Sequence, residues 1–158
     1  MKTLVLGIGN SLLADEGVGI HVVRALEGVF ALDDMVELLD GGTLSFTLAG
    51  PIGDADALVV VDATQLMAAP GSLSVFEGEA MDRFLVGNKK SSVHEVGLMD
   101  LMSIAKLTDC WPVRRALVAI QPEKLDWGET PTEAVAAAVP LACAHIRALI
   151  EGWRHGAA

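Results

Sequence analysis

The stretch from Leu4 to Leu26, LVLGIGNSLLADEGVGIHVVRAL, decides how this chain folds. The unbroken apolar run Thr3–Ile8 predicts a β-strand buried on both faces, which is typical of a parallel sheet covered by helices. A glycine-containing loop follows, and the apolar spacing of Glu16–Leu26 predicts an amphipathic helix. A buried strand, a short loop and a helix in this order indicate the start of an α/β fold.

The loop between this strand and helix carries two adjacent acids, Asp15 and Glu16. Phosphate-binding loops at this position offer backbone amides to an anion. Gly7 and Gly9 begin like a dinucleotide fingerprint, but its third glycine is absent, as is a Gly-Lys-Ser/Thr sequence. Because a carboxylate pair would repel a pyrophosphate, the loop is predicted to meet a metal or a polar peptide. Asp15 by itself is expected to be the N-cap of the helix.

Strands and helices alternate over the rest of the chain. Further strands are predicted at Met35–Leu39, Leu58–Val61, Ser72–Phe76 and Ala116–Ile120. Their alternation with helices across short turns predicts an α/β fold with three layers. Its core is a twisted, mostly parallel sheet with helices on both faces.

Two later helix starts carry the Ser/Thr-x-x-Glu form of a capping box. The first box, Ser92–Glu95, places His94 in the first turn of its helix. The second, Thr130–Glu133, places Pro131 at the first helical position, where its missing N–H costs nothing. This last helix is expected to reach about Trp153 and to kink near Pro140.

The composition is that of one acidic domain. The 158 residues include 21 acids and 11 bases, with a net charge of −10, and 52% of them are hydrophobic. A chain of this length can bury one sizeable core, so we expect a single domain over residues 1–158. Basic residues cluster no further than adjacent pairs, which argues against nucleic acid as a partner.

We expect a cytoplasmic monomer without membrane insertion. The N-terminal apolar run breaks at Gly7 and lacks the form of a secretory signal. The longest apolar stretch, Ala134–Ala144, contains Pro140 and is too short to span a bilayer. Cys110 and Cys143 have no paired spacing and are expected to be reduced thiols in the core.

Three side chains are expected to meet at one edge of the sheet. Glu16 follows the first strand, Asp62 follows the third, and His94 lies at a predicted helix start. Ligands of open α/β sheets bind outside the carboxyl ends of the strands, which is where these residues fall. Two carboxylates and an imidazole suit a borderline divalent metal such as nickel, zinc or iron, with coordination positions left open.

Each of these residues also has a purely structural interpretation. Glu16 suits the positive end of a helix dipole, Asp62 a turn after a strand, and His94 a capping turn. The DGGT sequence Asp40–Thr43 reads first as a turn in which glycine adopts positive φ. Spacing alone therefore leaves both a metal or acid–base site and a structural role open.

Five segments together resemble the hydrogenase maturation proteases: GIGNSLLADEGVGIHVVRAL, LLDGGT, ALVVVDAT with a following PG, SSVHEVGLMDLM and ALVAIQP. They occur in the family's order and cover nearly the whole chain. The resemblance implies the same largely parallel sheet between two helix layers. It also implies an endopeptidase, aspartic in type, that removes the C-terminal peptide of a nickel-loaded nickel–iron hydrogenase large-subunit precursor.

The resemblance further implies roles for individual residues. The candidates both for catalysis and for contact with nickel are Glu16, Asp62 and His94. The loop implied to bind the substrate consists of Asp40, Gly41, Gly42 and Thr43. Nickel would arrive with the precursor, so the resemblance requires no resident metal in this chain.

Some points stay open at the level of sequence. Ala14 stands where many members of the family have glycine, and Thr130-Pro131 replaces the more usual serine-proline. Nickel could fix the position of the scissile bond, or Asp62 or Glu16 could act as a general base for water. The alternative function is a non-catalytic maturation chaperone that binds nickel or the precursor. A nucleotide-binding domain is a third reading, which the acid pair disfavours.

Overall fold

The computed structural model describes residues 1–42, 46–88 and 93–156, with side chains in the last range described from Gly97 onward. The strands are β1 (Thr3–Gly7), β2 (Val36–Asp40), β3 (Ala57–Ala63), β4 (Leu73–Glu77) and β5 (Arg114–Ile120). The helices are α1 (Val18–Leu26), α2 (Ala49–Asp54), α3 (Glu79–Gly87), α4 (Val93–Leu107) and α5 (Glu133–His155). Two short 3₁₀ turns are Ala14–Gly17 and Phe46–Leu48.

The five strands form one sheet in the order β2-β1-β3-β5-β4. β1 pairs in parallel with β2 and β3, and β3 pairs in parallel with β5. β4 is antiparallel to β5 at the edge of the sheet, and its residues are half-buried or exposed. The predicted mostly parallel sheet and its more exposed fourth strand are confirmed.

Two apolar cores cover the two faces of this sheet. On one face, Val59 and Val61 of β3 pack with side chains from α1 and α5. On the other face, Leu58 and Val60 pack with side chains from α2, α3 and α4. Successive side chains of a strand point to opposite faces, so a strand that is apolar throughout serves both cores. The predicted three layers are confirmed.

The start of the first helix differs from the prediction. The chain after β1 forms the Ala14–Gly17 3₁₀ turn, and α1 begins only at Val18 instead of Glu16. No side chain caps either the turn or the helix. The prediction that Asp15 is the N-cap is therefore wrong, and its carboxylate has other partners, described below.

The start of the last helix also differs. α5 begins at Glu133 with Thr132 as its N-cap residue, so Pro131 precedes the helix and the predicted capping box is wrong. α4 begins at Val93, directly after the predicted cap Ser92, which lies outside the described residues. The short helices α2 and α3 were not predicted.

By length and composition alone, α5 could cross a membrane. It has 23 residues and continues through Pro140, so the expectation of a stretch too short to span does not hold for the helix as formed. A core helix passes the same test of length and hydropathy. The inward stripe of α5 packs on the sheet and on α1 and consists of Val135, Ala138, Ala142, Ile146 and Ile150.

Candidate functional site

The candidate site lies where the chain leaves two neighbouring strands in opposite directions. β1 leads to α1 on one face of the sheet, whereas β3 leads through the edge strand β4 to α3 and α4 on the other face. The carboxyl ends of β1 and β3 are neighbours, with Gly7 paired to Val61. Such a point in the strand order opens a crevice, and open α/β sheets bind their ligands there.

The start of α1 packs directly on the end of β3. A Cβ atom on Gly19 would lie 2.4 Å from the carbonyl oxygen of Val61 and 2.6 Å from that of Ile8. The amide of Ile8 donates to the same Val61 oxygen at 3.0 Å. Only glycine permits this approach, and the approach brings the loop that carries Glu16 to the strand end that carries Asp62.

Gly9 shapes the turn around Glu16. Its φ is +136°, and a Cβ at this position would lie 1.9 Å from the carbonyl oxygen of Glu16. Glu16 itself is half-buried, and its amide donates to the carbonyl oxygen of Leu13 at 3.0 Å. The second glycine of the Gly-x-Gly sequence is therefore required by the backbone of the acidic turn itself.

Asp62 is a buried carboxylate inside β3, with 2% of its surface exposed. It is paired with Ala119 of β5, and by strand alternation it shares the face of Leu58 and Val60. That face is covered by α4, whose first turn contains His94. The side chain of His94 lies outside the described residues, so its place beside the two carboxylates stays a prediction.

No group of three His, Cys, Asp or Glu side chains that could hold a metal ion occurs among the described residues. Glu16 lies in the turn after β1, and Asp62 lies near the carboxyl end of the neighbouring β3. A third ligand from His94 would complete the predicted set. Oxygen donors with one imidazole fit nickel, zinc or iron better than a soft thiolate-seeking metal.

The Asp40–Gly42 turn lies beside the first loop. The amide of Gly42 donates to Oδ1 of Asp40 at 2.9 Å, and the amide of Gly41 donates to the carbonyl oxygen of Gly7 at 2.8 Å. The amide of Gly9 in turn donates to the carbonyl oxygen of Gly42 at 2.9 Å. Gly42 has the positive φ of +54° expected for this sequence. Thr43 lies outside the described residues.

The two loops share an open cavity of about 350 Å³. Its walls are mainly polar, so it fits an extended peptide segment better than an apolar cofactor. The lining residues are Gly9, Asn10, Ser11, Ile20, Asp40 and Gly42.

Asp15 has a role that sequence reasoning missed. It is fully buried, and its carboxylate accepts hydrogen bonds from the amides of Glu123, Lys124 and Thr132 and from the Thr132 hydroxyl. Burial alone would raise the pKa of Asp15, but these hydrogen bonds outweigh it and hold the pKa below its ordinary value. Asp15 thus ties the acidic turn to a segment more than 100 residues away in the chain.

The two cysteines are free but lie outside the candidate site. Cys110 is exposed before β5, at the opposite end of the sheet, so the prediction that it is a core thiol is wrong. Cys143 is half-buried in α5 with its Sγ 3.9 Å from the carbonyl oxygen of Val22, and burial raises the pKa of this thiol. Neither thiol is placed or activated as a nucleophile for the strand-end site.

A family model described as hydrogenase maturation protease matches residues 20–148. The chain belongs to the hydrogenase maturation protease family. Hydrogenase 2 maturation protease from Escherichia coli K12 is 39% identical over 135 residues, which cover 84% of this chain and 81% of that protein. The hydrogenase expression/formation protein HupD of Rhizobium leguminosarum bv. viciae is 37% identical over 153 residues, which cover 96% of this chain and 75% of that protein.

Solved structures of hydrogenase maturation proteases share the architecture. The maturating endopeptidase HybD from E. coli has a TM-score of 0.88 at 36% identity, covering 96% of this chain and 94% of that one. The maturation protease HybD from Thermococcus kodakarensis has a TM-score of 0.79 at 25% identity, covering 94% and 99%. The resemblance stated from the sequence motifs is confirmed for both family and fold.

Proposed function

We propose that this protein is the endopeptidase that removes the C-terminal peptide from a nickel-loaded hydrogenase large-subunit precursor. One observation carries the proposal: the chain belongs to the hydrogenase maturation protease family and shares the fold of a solved maturating endopeptidase. Glu16 lies in the turn after β1 and Asp62 near the end of β3, and we infer that both carboxylates serve the site at this crevice. Nickel is the cargo of the substrate, and the precursor is the partner. We further propose that processing takes place in the cytoplasm and that the enzyme acts as a monomer.

The surface around the crevice suits a protein substrate. Several large hydrophobic side chains are exposed on the loops that follow the carboxyl ends of the strands. Leu12, Met67 and Trp127, for example, are 49%, 89% and 78% exposed. Exposed apolar side chains on the loops at one end of a sheet favour contact with another protein over a small ligand enclosed in a pocket.

The carboxylates would recognise the nickel that the precursor carries. Glu16 approaches from the loop after β1 and Asp62 from the end of β3, and His94 would approach from the first turn of α4. Carboxylate and imidazole donors suit a borderline metal already held by other ligands in the substrate. Contact with the metal would fix the scissile peptide against the site, so that cleavage gains from proximity and orientation.

Hydrolysis itself is assigned to a carboxylate. Neither cysteine lies at the carboxyl ends of β1 and β3, whereas Glu16 follows β1 and Asp62 lies near the end of β3. We propose that one of them accepts the proton of the attacking water, with the second oriented toward the metal. This assignment places the enzyme with the aspartic-type peptidases.

The deciding experiment mixes the protein with a cognate large-subunit precursor prepared with and without nickel and follows intact mass. Loss of a C-terminal peptide from the nickel-loaded precursor alone is the expected result. Cleavage of both forms would support the protease activity but would show that nickel is not needed for recognition. No cleavage of a loaded, cognate precursor that nevertheless binds would replace the protease with the maturation chaperone.

The site assignment is tested with three variants and three matched controls. Cleavage by Glu16→Gln, Asp62→Asn and His94→Gln is expected to fall at least about a hundredfold, the range found when groups acting in the transition state are removed. The same substitutions at exposed residues away from the site, Glu79→Gln, Asp109→Asn and His155→Gln, should leave cleavage unchanged. Full activity in any of the first three removes that residue from the site.

A further inference from the structure

The acidic turn of this protein is fastened to the segment 122–132 by one buried carboxylate. Oδ2 of Asp15 accepts from the amides of Glu123 and Lys124 at 2.8 and 2.9 Å. Its Oδ1 accepts from the amide of Thr132 at 2.6 Å, and the Thr132 hydroxyl lies 3.1 Å from Oδ1 and 2.9 Å from Oδ2. Both oxygens are therefore engaged by donors from the same distant segment.

Backbone hydrogen bonds also join the segment 122–132 to the residues on either side of Asp15. The amide of Ala14 donates to the carbonyl oxygen of Gly128 at 2.8 Å, and the amide of Asp15 donates to that of Lys124 at 3.1 Å. The amide of Gly128 donates to the carbonyl oxygen of Leu12 at 2.8 Å. The segment 122–132 thus lies along the first loop over most of its length.

The hydroxyl of Thr132 binds Asp15 and does not cap the helix that Thr132 precedes. Thr132 is the N-cap residue of α5, yet its hydroxyl caps no amide of its own helix. It donates to Asp15 instead. Threonine is a favoured N-cap residue, but here its hydroxyl holds the acidic turn. The contact with Asp15 also fixes the position of Thr132, directly before the first residue of α5.

We propose that Asp15 is a positioning residue that sets the place of Glu16 through the segment 122–132. This inference rests on the proposed function, because Glu16 is there assigned to the substrate's nickel. The 3₁₀ turn that carries both acids has four residues and no side-chain cap, so it is too short to hold itself. The contacts of Asp15 are what fasten the turn to the rest of the fold.

Asp15→Asn is the informative substitution. Asparagine has nearly the same shape, but it offers one acceptor oxygen and turns an NH₂ group toward amides that are themselves donors. The matched control is Asp82→Asn, at the opposite end of the sheet. Asp82 is likewise a poorly exposed carboxylate with several donors, from Arg115 and Trp111.

Cleavage kinetics and amide hydrogen exchange are measured on both variants, with urea unfolding to compare their stability. For Asp15→Asn we expect kcat to fall about tenfold to a hundredfold, as for a misplaced catalytic group, with a smaller change in KM. Exchange should accelerate in residues 10–17 and 122–132 together. Asp82→Asn should lose comparable stability but keep its kcat and its exchange in both segments.

An unchanged kcat in folded Asp15→Asn would overturn the proposal, as would an equal loss of kcat in Asp82→Asn. If Asp15→Asn does not fold, Thr132→Val replaces it, since valine keeps the amide contact and removes only the hydroxyl. A smaller fall in kcat is then expected, with no change in the exposed control Thr130→Val. Failure of the proposed function is distinct: wild-type protein would then cleave no precursor at all.

Discussion

Arg115 holds both carboxylate oxygens of Asp82, with Nε 2.9 Å from Oδ1 and Nη2 2.7 Å from Oδ2. Trp111 donates to Oδ1 at 3.2 Å, and Nζ of Lys106 lies 3.4 Å from Oδ2. The contact joins α3 and α4 to the amino end of β5, away from the candidate site. It is a structural counterpart to the Asp15 contacts at the other end of the sheet.

This ion pair predicts part of the acid sensitivity of the fold. Burial would raise the pKa of Asp82, but the hydrogen bonds from Arg115 and Trp111 and the charges of Arg115 and Lys106 hold it below its ordinary value. A lowered carboxyl pKa contributes stability that is present above the unfolded value of about 4 and is lost as pH falls through the folded pKa.

Asp82→Asn should therefore lower the free energy of unfolding by about 1.5–3 kcal/mol near neutral pH, the range for hydrogen bonds to charged groups. The difference from wild type should shrink below about pH 4, because the wild-type carboxylate is then protonated in the unfolded chain. Urea unfolding at a series of pH values measures it. A difference independent of pH would show that the charged form of Asp82 is not what stabilises the fold. Asp126→Asn, at an exposed residue, is the control.

The close approach of α1 to the sheet depends on the absence of a side chain at Gly19. Gly19→Ala would place a methyl group 2.4 Å from the carbonyl oxygen of Val61, so strand or helix must move. We expect a loss of about 1–3 kcal/mol in stability, typical of overpacking, together with loss of cleavage. Circular dichroism during thermal unfolding and the precursor assay report these two effects.

Gly152→Ala is the matched control in another helix. Among the described residues, no atom beyond its own helix backbone and chain neighbours lies within 4 Å of a Cβ at this position. Alanine is favoured over glycine in a helix interior, so this variant should gain about 0.5–1 kcal/mol and keep its activity. Equal stability of the two alanine variants would contradict the close packing of Gly19.

The strands of the sheet, and the residues that follow their carboxyl ends, were predictable because they depend on local sequence pattern. Buried strands such as β1 and β3 are continuous apolar runs, and Asp62 interrupts its run near the end that faces the crevice. α2 was not predictable, since its sequence AGPIGD contains two glycines and a proline and its helix is formed by packing. The candidate site could be predicted only to lie at the carboxyl ends of the strands, because the alternation of strands and helices indicates a parallel sheet but does not fix the strand order.

The role of Asp15 could not have been predicted from spacing. Its partners Glu123 and Thr132 lie 108 and 117 residues further along the chain. Locally, an acid before a helix is a favoured N-cap, so the nearby pattern pointed to the wrong partner. The same distant contact explains why Thr132, and not Thr130, precedes the last helix.

The backbone conformation of Ala14 is unfavourable for alanine, so a glycine at this position is expected to stabilise the protein. Ala14 has a positive φ of +46° and is 4% exposed. A residue with a Cβ atom pays about 1–2 kcal/mol of folding free energy to adopt positive φ, and glycine avoids this cost. Glycine also has more conformational entropy to lose from the unfolded chain, so part of the gain is cancelled. Ala14→Gly should therefore raise the free energy of unfolding by up to about 1 kcal/mol.

The opposite sign is expected at Ala25, an exposed residue inside α1. There an alanine-to-glycine change should cost about 1 kcal/mol, because the backbone is helical and glycine loses more entropy. Urea unfolding of the two variants side by side measures the pair of effects. Destabilisation by Ala14→Gly would show that its buried methyl group matters more than its backbone conformation.

Trp127 tests whether the rim of the crevice contacts the precursor. The side chain is 78% exposed and precedes Gly128, whose backbone is hydrogen-bonded to both Leu12 and Ala14 of the first loop. Tryptophan is among the residue types that most often contribute the largest share of the binding energy in a protein interface. If the precursor covers it, Trp127→Ala should raise KM for cleavage by about tenfold and change kcat little.

The matched control is Leu107→Ala, since Leu107 is 88% exposed at the end of α4, away from the strand-end loops. Both side chains are solvated, so neither variant should alter unfolding by more than about 0.5 kcal/mol. Steady-state cleavage over a range of precursor concentrations separates KM from kcat. A raised KM in Trp127→Ala alone assigns this rim to the precursor, whereas equal KM values in both variants would mean that the precursor docks through another surface.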